Sequence, residues 1–75
     1  MYMRITYDKS VDAAYIYLKN IGPGEVDQTH ICNTELSAGT ISLDFDKQGI
    51  LLGIEILEAG KTLPKEILDR AEIIG

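Results

Sequence analysis

The sequence predicts an α+β domain in which an antiparallel sheet of four or five strands carries one C-terminal helix. Apolar residues alternate at period two on both sides of the turn at residues 46–49, which is typical of a half-buried hairpin. A second alternating pair of segments opens the chain, and apolar residues at helical spacing follow only at its end. Because the strands come first and the helix last, we expect the helix to cover one face of the sheet.

Length, composition and charge bound the class of protein. The chain has 75 residues, so we expect a single domain over 1–75. It has one cysteine, Cys32, which excludes an intrachain disulfide and fits the reducing cytoplasm. We expect no signal peptide and no membrane span, since the basic and long apolar segments they need are absent from the sequence. The net charge of −5 disfavours nucleic acid and anionic membranes as partners.

The first predicted element is a hairpin over residues 2–18. If Tyr7 lies opposite Asp12, one face of this hairpin collects six side chains: Met3, Ile5, Tyr7, Ala14, Ile16 and Leu18. A slip of one residue would scatter them over both faces. This register places Arg4 opposite Tyr15, and Tyr2 opposite Tyr17, on the second face of the sheet.

The next elements are a Gly22-Pro23-Gly24 loop, a polar edge strand at about 25–32 and the central hairpin at 39–57. The central hairpin holds the predicted core, with Ile50 in the same row. The side chains that we expect to be nearly fully buried are Leu43, Phe45, Leu52, Ile54 and Ile56. A helix at about 63–73 follows, with Thr62 as its cap. Its apolar stripe consists of Leu63, Ile67, Ala71 and Ile74.

The turn of the central hairpin nearly fits a calcium-binding loop. Asp44, Asp46 and Gln48 would be ligands, Gly49 would make the tight turn, and Glu55 would be the bidentate ligand. However, the flanking segments alternate as strands, so Glu55 is carried away from the turn. We therefore predict a hairpin turn with Gly49 at positive φ, and no calcium binding at micromolar concentration.

Other candidate chemistry is weaker. Asp8, Asp12, Asp44 and Asp46 could form a magnesium site or an acid–base pair if the two turns that bear them lay at the same end of the sheet. Such turn residues usually face water and bond their own backbone. His30 and Cys32 share a strand face, but a third ligand or an orienting carboxylate is not identifiable. We expect no cofactor, no metal and no catalytic residue.

Four ordered blocks resemble a known family. They are Tyr7-Asp8, the segment VDAAYI at residues 11–16, Asp44-Phe45-Asp46 with Gly49, and the segment GIEILEA at residues 53–59. These blocks resemble the YuzE-like family, domain-of-unknown-function family 2283, whose members are small bacterial and archaeal proteins. The resemblance implies a compact α+β domain and assigns no activity, cofactor or catalytic residue. Some relatives are encoded beside small toxin-like proteins, so the resemblance also implies an antitoxin or binding role.

The second sheet face is the candidate interface. Its predicted members are Tyr2, Arg4, Tyr15, Tyr17, Leu51 and Leu57. Tyrosine and arginine are enriched at interface hot spots, whereas the alternative is that the rings only cover the sheet, with Arg4 over Tyr15. We therefore expect a small acidic, non-enzymatic interaction module that forms a homodimer or binds a basic protein. The alternative is a small metal-dependent enzyme or ion-binding module that uses the aspartate-rich turns.

Overall fold

The computed structural model describes residues 3–75, and Met1 and Tyr2 lie outside the described residues. The elements are β1 (Arg4–Asp8), β2 (Ala13–Tyr17), β3 (Gln28–Cys32), β4 (Ile41–Phe45), β5 (Leu51–Leu57), α1 (Ala59–Thr62), α2 (Lys65–Arg70) and β6 (Glu72–Ile74). The strands form one sheet in the order β3-β4-β5-β2-β1-β6. The α+β class is confirmed, but the sheet has six described strands and is mixed, because β6 runs parallel to β1.

The hairpin of β1 and β2 has the predicted faces but not the predicted register. Tyr7 lies opposite Ala14 and Ile5 opposite Ile16, so the predicted pairing of Tyr7 with Asp12 is wrong by two positions. A shift of two residues keeps each side chain on its face, and the predicted apolar face is therefore retained. The reason lies in the turn, where Asp12 adopts φ 53° and closes a four-residue loop between the strands.

The hairpin of β4 and β5 follows the prediction closely. The Asp46 N–H donates to the Ile50 carbonyl at 3.0 Å, and the Gly49 N–H donates to the Asp46 carbonyl at 3.1 Å. Gly49 has φ 80°, a conformation that glycine adopts without steric cost, which confirms the predicted turn. Ile50, however, lies in the turn and is 59% exposed, so its assignment to the buried row is wrong.

Fewer side chains of this hairpin are buried than expected. Leu52 and Ile56 are buried, as predicted. Leu43, Phe45 and Ile54 are only half-buried, so the expectation of nearly complete burial is wrong for these three. The two helices are short and cover only part of this face.

The predicted helix at 63–73 is the largest error. Within that span only α2, Lys65–Arg70, is helical, and a separate short helix, α1, precedes it. The Ala71 N–H ends α2 by donating to the Leu68 carbonyl at 3.2 Å. The chain then becomes extended, and Ile73 lies opposite Tyr7 of β1. β-branched residues favour strands, and the edge of β1 offers them a partner. Thr62 does not cap α2, since it is the last residue of α1 and its hydroxyl donates to the carbonyl of Glu58, the residue before α1.

The core lies on the face of the sheet that the helices cover, which we call the helix-bearing face. Ala14, Ile56 and Ala59 form its buried centre, and Leu63 and Leu68 pack against them. The long-range pairing of β2 with β5 brings Ala14 opposite Ile56. The predicted edge strand is confirmed as β3, with narrower bounds. Neither described helix is long and apolar enough to cross a membrane.

Candidate functional site

The sheet face opposite the helices carries two adjoining tyrosines, and we call it the tyrosine-bearing face. Alternation along β2 places Tyr15 and Tyr17 there, with ring centroids 4.6 Å apart and planes inclined at 54°. Arg4 lies opposite Tyr17, and its guanidinium carbon is 5.3 Å from the centre of the Tyr17 ring. The predicted contact of Arg4 with Tyr15 is therefore wrong, because the register of β1 and β2 differs by two residues.

Tyr15 reaches across β5 to β4. Its hydroxyl donates to Asp44 Oδ2 at 2.5 Å, and its ring lies over Gly53. A Cβ at position 53 would come within 2.5 Å of the ring atom Cε1 and 2.6 Å of Cζ, so this crossing depends on a glycine. The other oxygen of Asp44 accepts a 2.6 Å hydrogen bond from the Thr29 hydroxyl of β3. Asp44 therefore ties three strands together on this face.

The environment of Tyr15 keeps its phenol protonated. Burial, and then the hydrogen bond to Asp44, raise the pKa of Tyr15 well above its usual value. A phenol with a raised pKa is a poor base and a poor nucleophile at neutral pH. The group therefore acts as a fixed hydrogen-bond donor and an apolar ring.

Charge on the tyrosine-bearing face is mostly negative. Arg4 donates two 2.8 Å hydrogen bonds to the carboxylate of Glu72 on β6, and these bonds lower the pKa of Glu72. Both side chains are about half exposed, so the pair adds little stability. Asp44 and the exposed Glu55, which lies opposite Tyr15, add two carboxylates without a basic partner among the described contacts.

Of the other predicted interface residues, Leu57 lies on the same face, opposite Ala13 of β2, and is 40% exposed. Leu51 is half-buried and lies opposite Phe45, where the register of β4 and β5 shifts. Alternation along β5 is interrupted there, so it does not place Leu51 on the tyrosine-bearing face. Tyr2, the remaining member of the predicted set, lies outside the described residues.

The aspartate-rich turns lie at opposite ends of the sheet. Asp8 and Asp12 flank the turn from β1 to β2, next to Leu57 at the end of β5. Asp44 and Asp46 lie at the other end, where β4 turns into β5. The idea that the four carboxylates share one end and form a common magnesium or acid–base site is therefore wrong.

Each pair of turn carboxylates has a structural use. Asp12 Oδ1 accepts hydrogen bonds from the Tyr7 hydroxyl at 2.6 Å and from the Gly60 N–H at 2.9 Å. The bond from Tyr7, and then that from Gly60, lower the pKa of Asp12. Asp12 thus satisfies an N–H in the first turn of α1, a task usually left to the residue before a helix. Asp12 directly precedes β2, 48 residues before Gly60, so local sequence patterns do not indicate this contact.

Asp46 holds its own turn, since its Oδ1 accepts from the backbone N–H groups of Gln48 and Ile50, both at 2.9 Å. His30 and Cys32 lie on edge strand β3, where His30 is exposed. Within residues 3–75, no three histidine, cysteine, aspartate or glutamate side chains are grouped so that they could hold a metal ion.

The fold and this face define a small α+β protein with a half-covered sheet and an acidic, aromatic second face. The model of the family described as "Protein of unknown function (DUF2283)" matches residues 4–59, and the chain belongs to this family. The match contains Arg4, both tyrosines, Asp44 and Glu55, and it ends before β6. No curated protein and no solved structure matches the chain.

Proposed function

We propose that this chain is a small non-enzymatic interaction module whose tyrosine-bearing face binds a basic protein. The observation that carries the proposal is the contact of Tyr15 with Tyr17, under Arg4, on a face that neither helix covers. Such rings bury a large area on binding while their hydroxyl groups keep polar partners. Tyrosine and arginine are also the residue types most enriched at binding hot spots.

The rings are held in place before any partner arrives. Tyr15 is fixed by its hydrogen bond to Asp44 and by its position over Gly53, and Tyr17 lies between Tyr15 and Arg4. Side chains that are already ordered lose less entropy on binding, so more of the contact energy contributes to affinity.

Charge favours a basic partner for this face. Asp44, Glu55 and Glu72 outnumber Arg4, and the whole chain carries a net charge of −5. A basic surface would be attracted and oriented by this field, whereas two copies of the face would bring like charges together. A basic toxin-like protein is one partner with this chemistry, and the module would work in the cytoplasm, where Cys32 stays reduced.

The test compares two charge reversals of equal size. Glu55→Lys lies on the tyrosine-bearing face, and Glu66→Lys lies on exposed α2 across the sheet. Proteins that co-purify with the wild-type chain from cells of the source organism would be identified by mass spectrometry and then produced in pure form. Binding of each purified protein to the three chains would be measured by titration calorimetry.

We expect a basic protein whose Kd rises about tenfold or more with Glu55→Lys, because like charge at an interface costs on the order of 1.4 kcal/mol or more. Glu66→Lys should leave that Kd within about twofold of wild type. Equal losses in both variants, or a confirmed partner that is acidic, would reject this face as the site for a basic protein.

A further inference from the structure

The unpaired edge of β3 is a second candidate binding surface, separate from the tyrosine-bearing face. β3 pairs with β4 on one side and ends the sheet on the other. Its first four residues are exposed, and Ile31 is 62% exposed. An edge strand presents backbone N–H and C=O groups that can pair with another strand.

This edge lacks the protection that sheet edges usually have. The segment Gln28–Cys32 contains no proline, lysine, arginine, aspartate or glutamate, and its register with β4 is regular. The opposite edge differs, since β6 has three residues and begins with Glu72, which is paired to Arg4. Charges, prolines and bulges are the usual devices that keep edge strands apart.

We propose that β3 pairs antiparallel with β3 of a second copy of this chain, about a two-fold axis at His30. In this arrangement His30 lies opposite His30 of the second copy, Thr29 lies opposite Ile31, and Gln28 opposite Cys32. Thr29 and Ile31 are both β-branched and would form two equivalent cross-strand contacts. The arrangement is closed by symmetry, so association stops at a dimer with one continuous sheet.

Charge and core size favour a second copy as the occupant. Two chains of net charge −5 repel least where they meet through an uncharged strand. Just outside β3, Asp27 would lie opposite Asn33 of the second copy. The preceding acidic residue, Glu25, is already paired with Lys19 at 2.5 Å, so its charge is balanced within its own chain. Among the described residues, only Ala14, Leu52, Ile56 and Ala59 are fully buried apolar residues, and small cores of this kind are commonly supplemented by association.

Disulfide trapping tests both the pairing and its register. At the two-fold axis the Cα atoms of the two copies of His30 would be about 4.5–5.5 Å apart, within the range that a disulfide bridges. The two copies of Thr29 would be about 8 Å apart, beyond that range. The variants are therefore His30→Cys and Thr29→Cys, each combined with Cys32→Ser, with Gln48→Cys/Cys32→Ser as a control in the exposed turn.

We expect His30→Cys/Cys32→Ser to form a covalent dimer under mild oxidation at least about tenfold faster than the other two variants. Oxidation rates would be followed by non-reducing electrophoresis of the full chain, with circular dichroism to check that each variant is folded. Equal rates in all three would show random collision, and fastest trapping at Thr29 would reject the two-fold axis at His30; either result overturns the proposal.

A reversible measurement supports the trapping experiment. Two copies of His30→Asp would place like charges beside each other at the axis, whereas Gln48→Asp makes a change to aspartate in the exposed turn. In sedimentation velocity over a concentration series, we expect wild type and Gln48→Asp to associate and His30→Asp to remain a monomer. A wild-type monomer at millimolar concentration would overturn the proposal and leave the tyrosine-bearing face untouched.

Discussion

Gly53 gives the sharpest test of the tyrosine-bearing face, because its missing side chain is what lets Tyr15 cross β5. In Gly53→Ala, the new methyl would lie 2.5–2.6 Å from two ring atoms of Tyr15. Ordinary contact begins near 3.4 Å, so the ring has to move by about 1 Å, which would stretch the 2.5 Å bond to Asp44 beyond hydrogen-bonding distance.

The expected cost follows from two opposing effects. Loss of a hydrogen bond to a charged group costs about 1.5–3 kcal/mol, and the partial exposure of Tyr15 favours the lower end of that range. Alanine in a strand interior is better than glycine by about 0.5–1 kcal/mol. We therefore expect Gly53→Ala to lower the free energy of unfolding by about 1 kcal/mol and the Tm by roughly 4–8 °C.

Urea and thermal unfolding followed by circular dichroism would measure this change. The control is the same substitution in a Tyr15→Phe background, where no hydrogen bond to Asp44 remains to be lost. There we expect Gly53→Ala to be neutral or slightly stabilising, so the two changes should be coupled by about 1 kcal/mol. A Gly53→Ala protein as stable as wild type, or equal effects in both backgrounds, would refute the reasoning.

Three further predictions concern the core, pH and ions. Leu52→Ala truncates a side chain that is 1% exposed and should lower the free energy of unfolding in urea by about 3–5 kcal/mol. Leu57→Ala on the same strand should lower it by about 1 kcal/mol or less. Equal costs would contradict the burial described. The pKa of Asp12 is lower in the folded chain than its ordinary 3.8. Its contribution to the free energy of unfolding should therefore be present above pH 3.8 and be lost as the pH falls through the pKa of the folded state. The Tm difference between wild type and Asp12→Asn should thus shrink on acidification, and a gap that is constant with pH would speak against the contact. Calorimetry should detect no saturable calcium binding at micromolar concentration, because the Asp46 carboxylate already holds two backbone N–H groups; binding that Asp46→Ala removes would overturn this.

Local patterns predicted the parts of the fold that depend on neighbouring residues. Alternation around Gly49 predicted the turn and both strands of the central hairpin, because side chains on a strand change face at every residue. The same alternation placed Tyr15 and Tyr17 on the second face even though the register was wrong. An error of two residues leaves faces unchanged, whereas contacts such as that of Arg4 with Tyr17 depend on the register itself.

The C-terminal error has a different origin. Leu63, Ile67, Ala71 and Ile74 fit helical spacing, but Ile73 and Ile74 are also good strand residues. Pairing with β1 decides between the two, and this pairing is a tertiary contact across most of the chain. Sequence spacing alone gives no measure of it.

Strand order explains why the site itself was only partly predicted. Tyr15 reaches Asp44 because β5 lies between β2 and β4, and the sequence did not reveal that order. The antiparallel direction of β2 against β5 puts the two aspartate-rich turns at opposite ends of the sheet, so the four carboxylates do not form the candidate ion site. The cap that Asp12 provides for Gly60 likewise joins residues that are far apart in the chain.

The pairing of β2 with β5 has a consequence for how fast the chain folds. The hairpins β1–β2 and β4–β5 each close a short loop, but β2 and β5 join residues 36 to 44 positions apart, such as Ala13 and Leu57. The entropy of closing that loop is lost before its contacts form. We therefore expect two hairpins to form early and their docking to limit the rate, so that truncating Ile16 or Ile54, which face each other across this seam, slows folding more than it speeds unfolding.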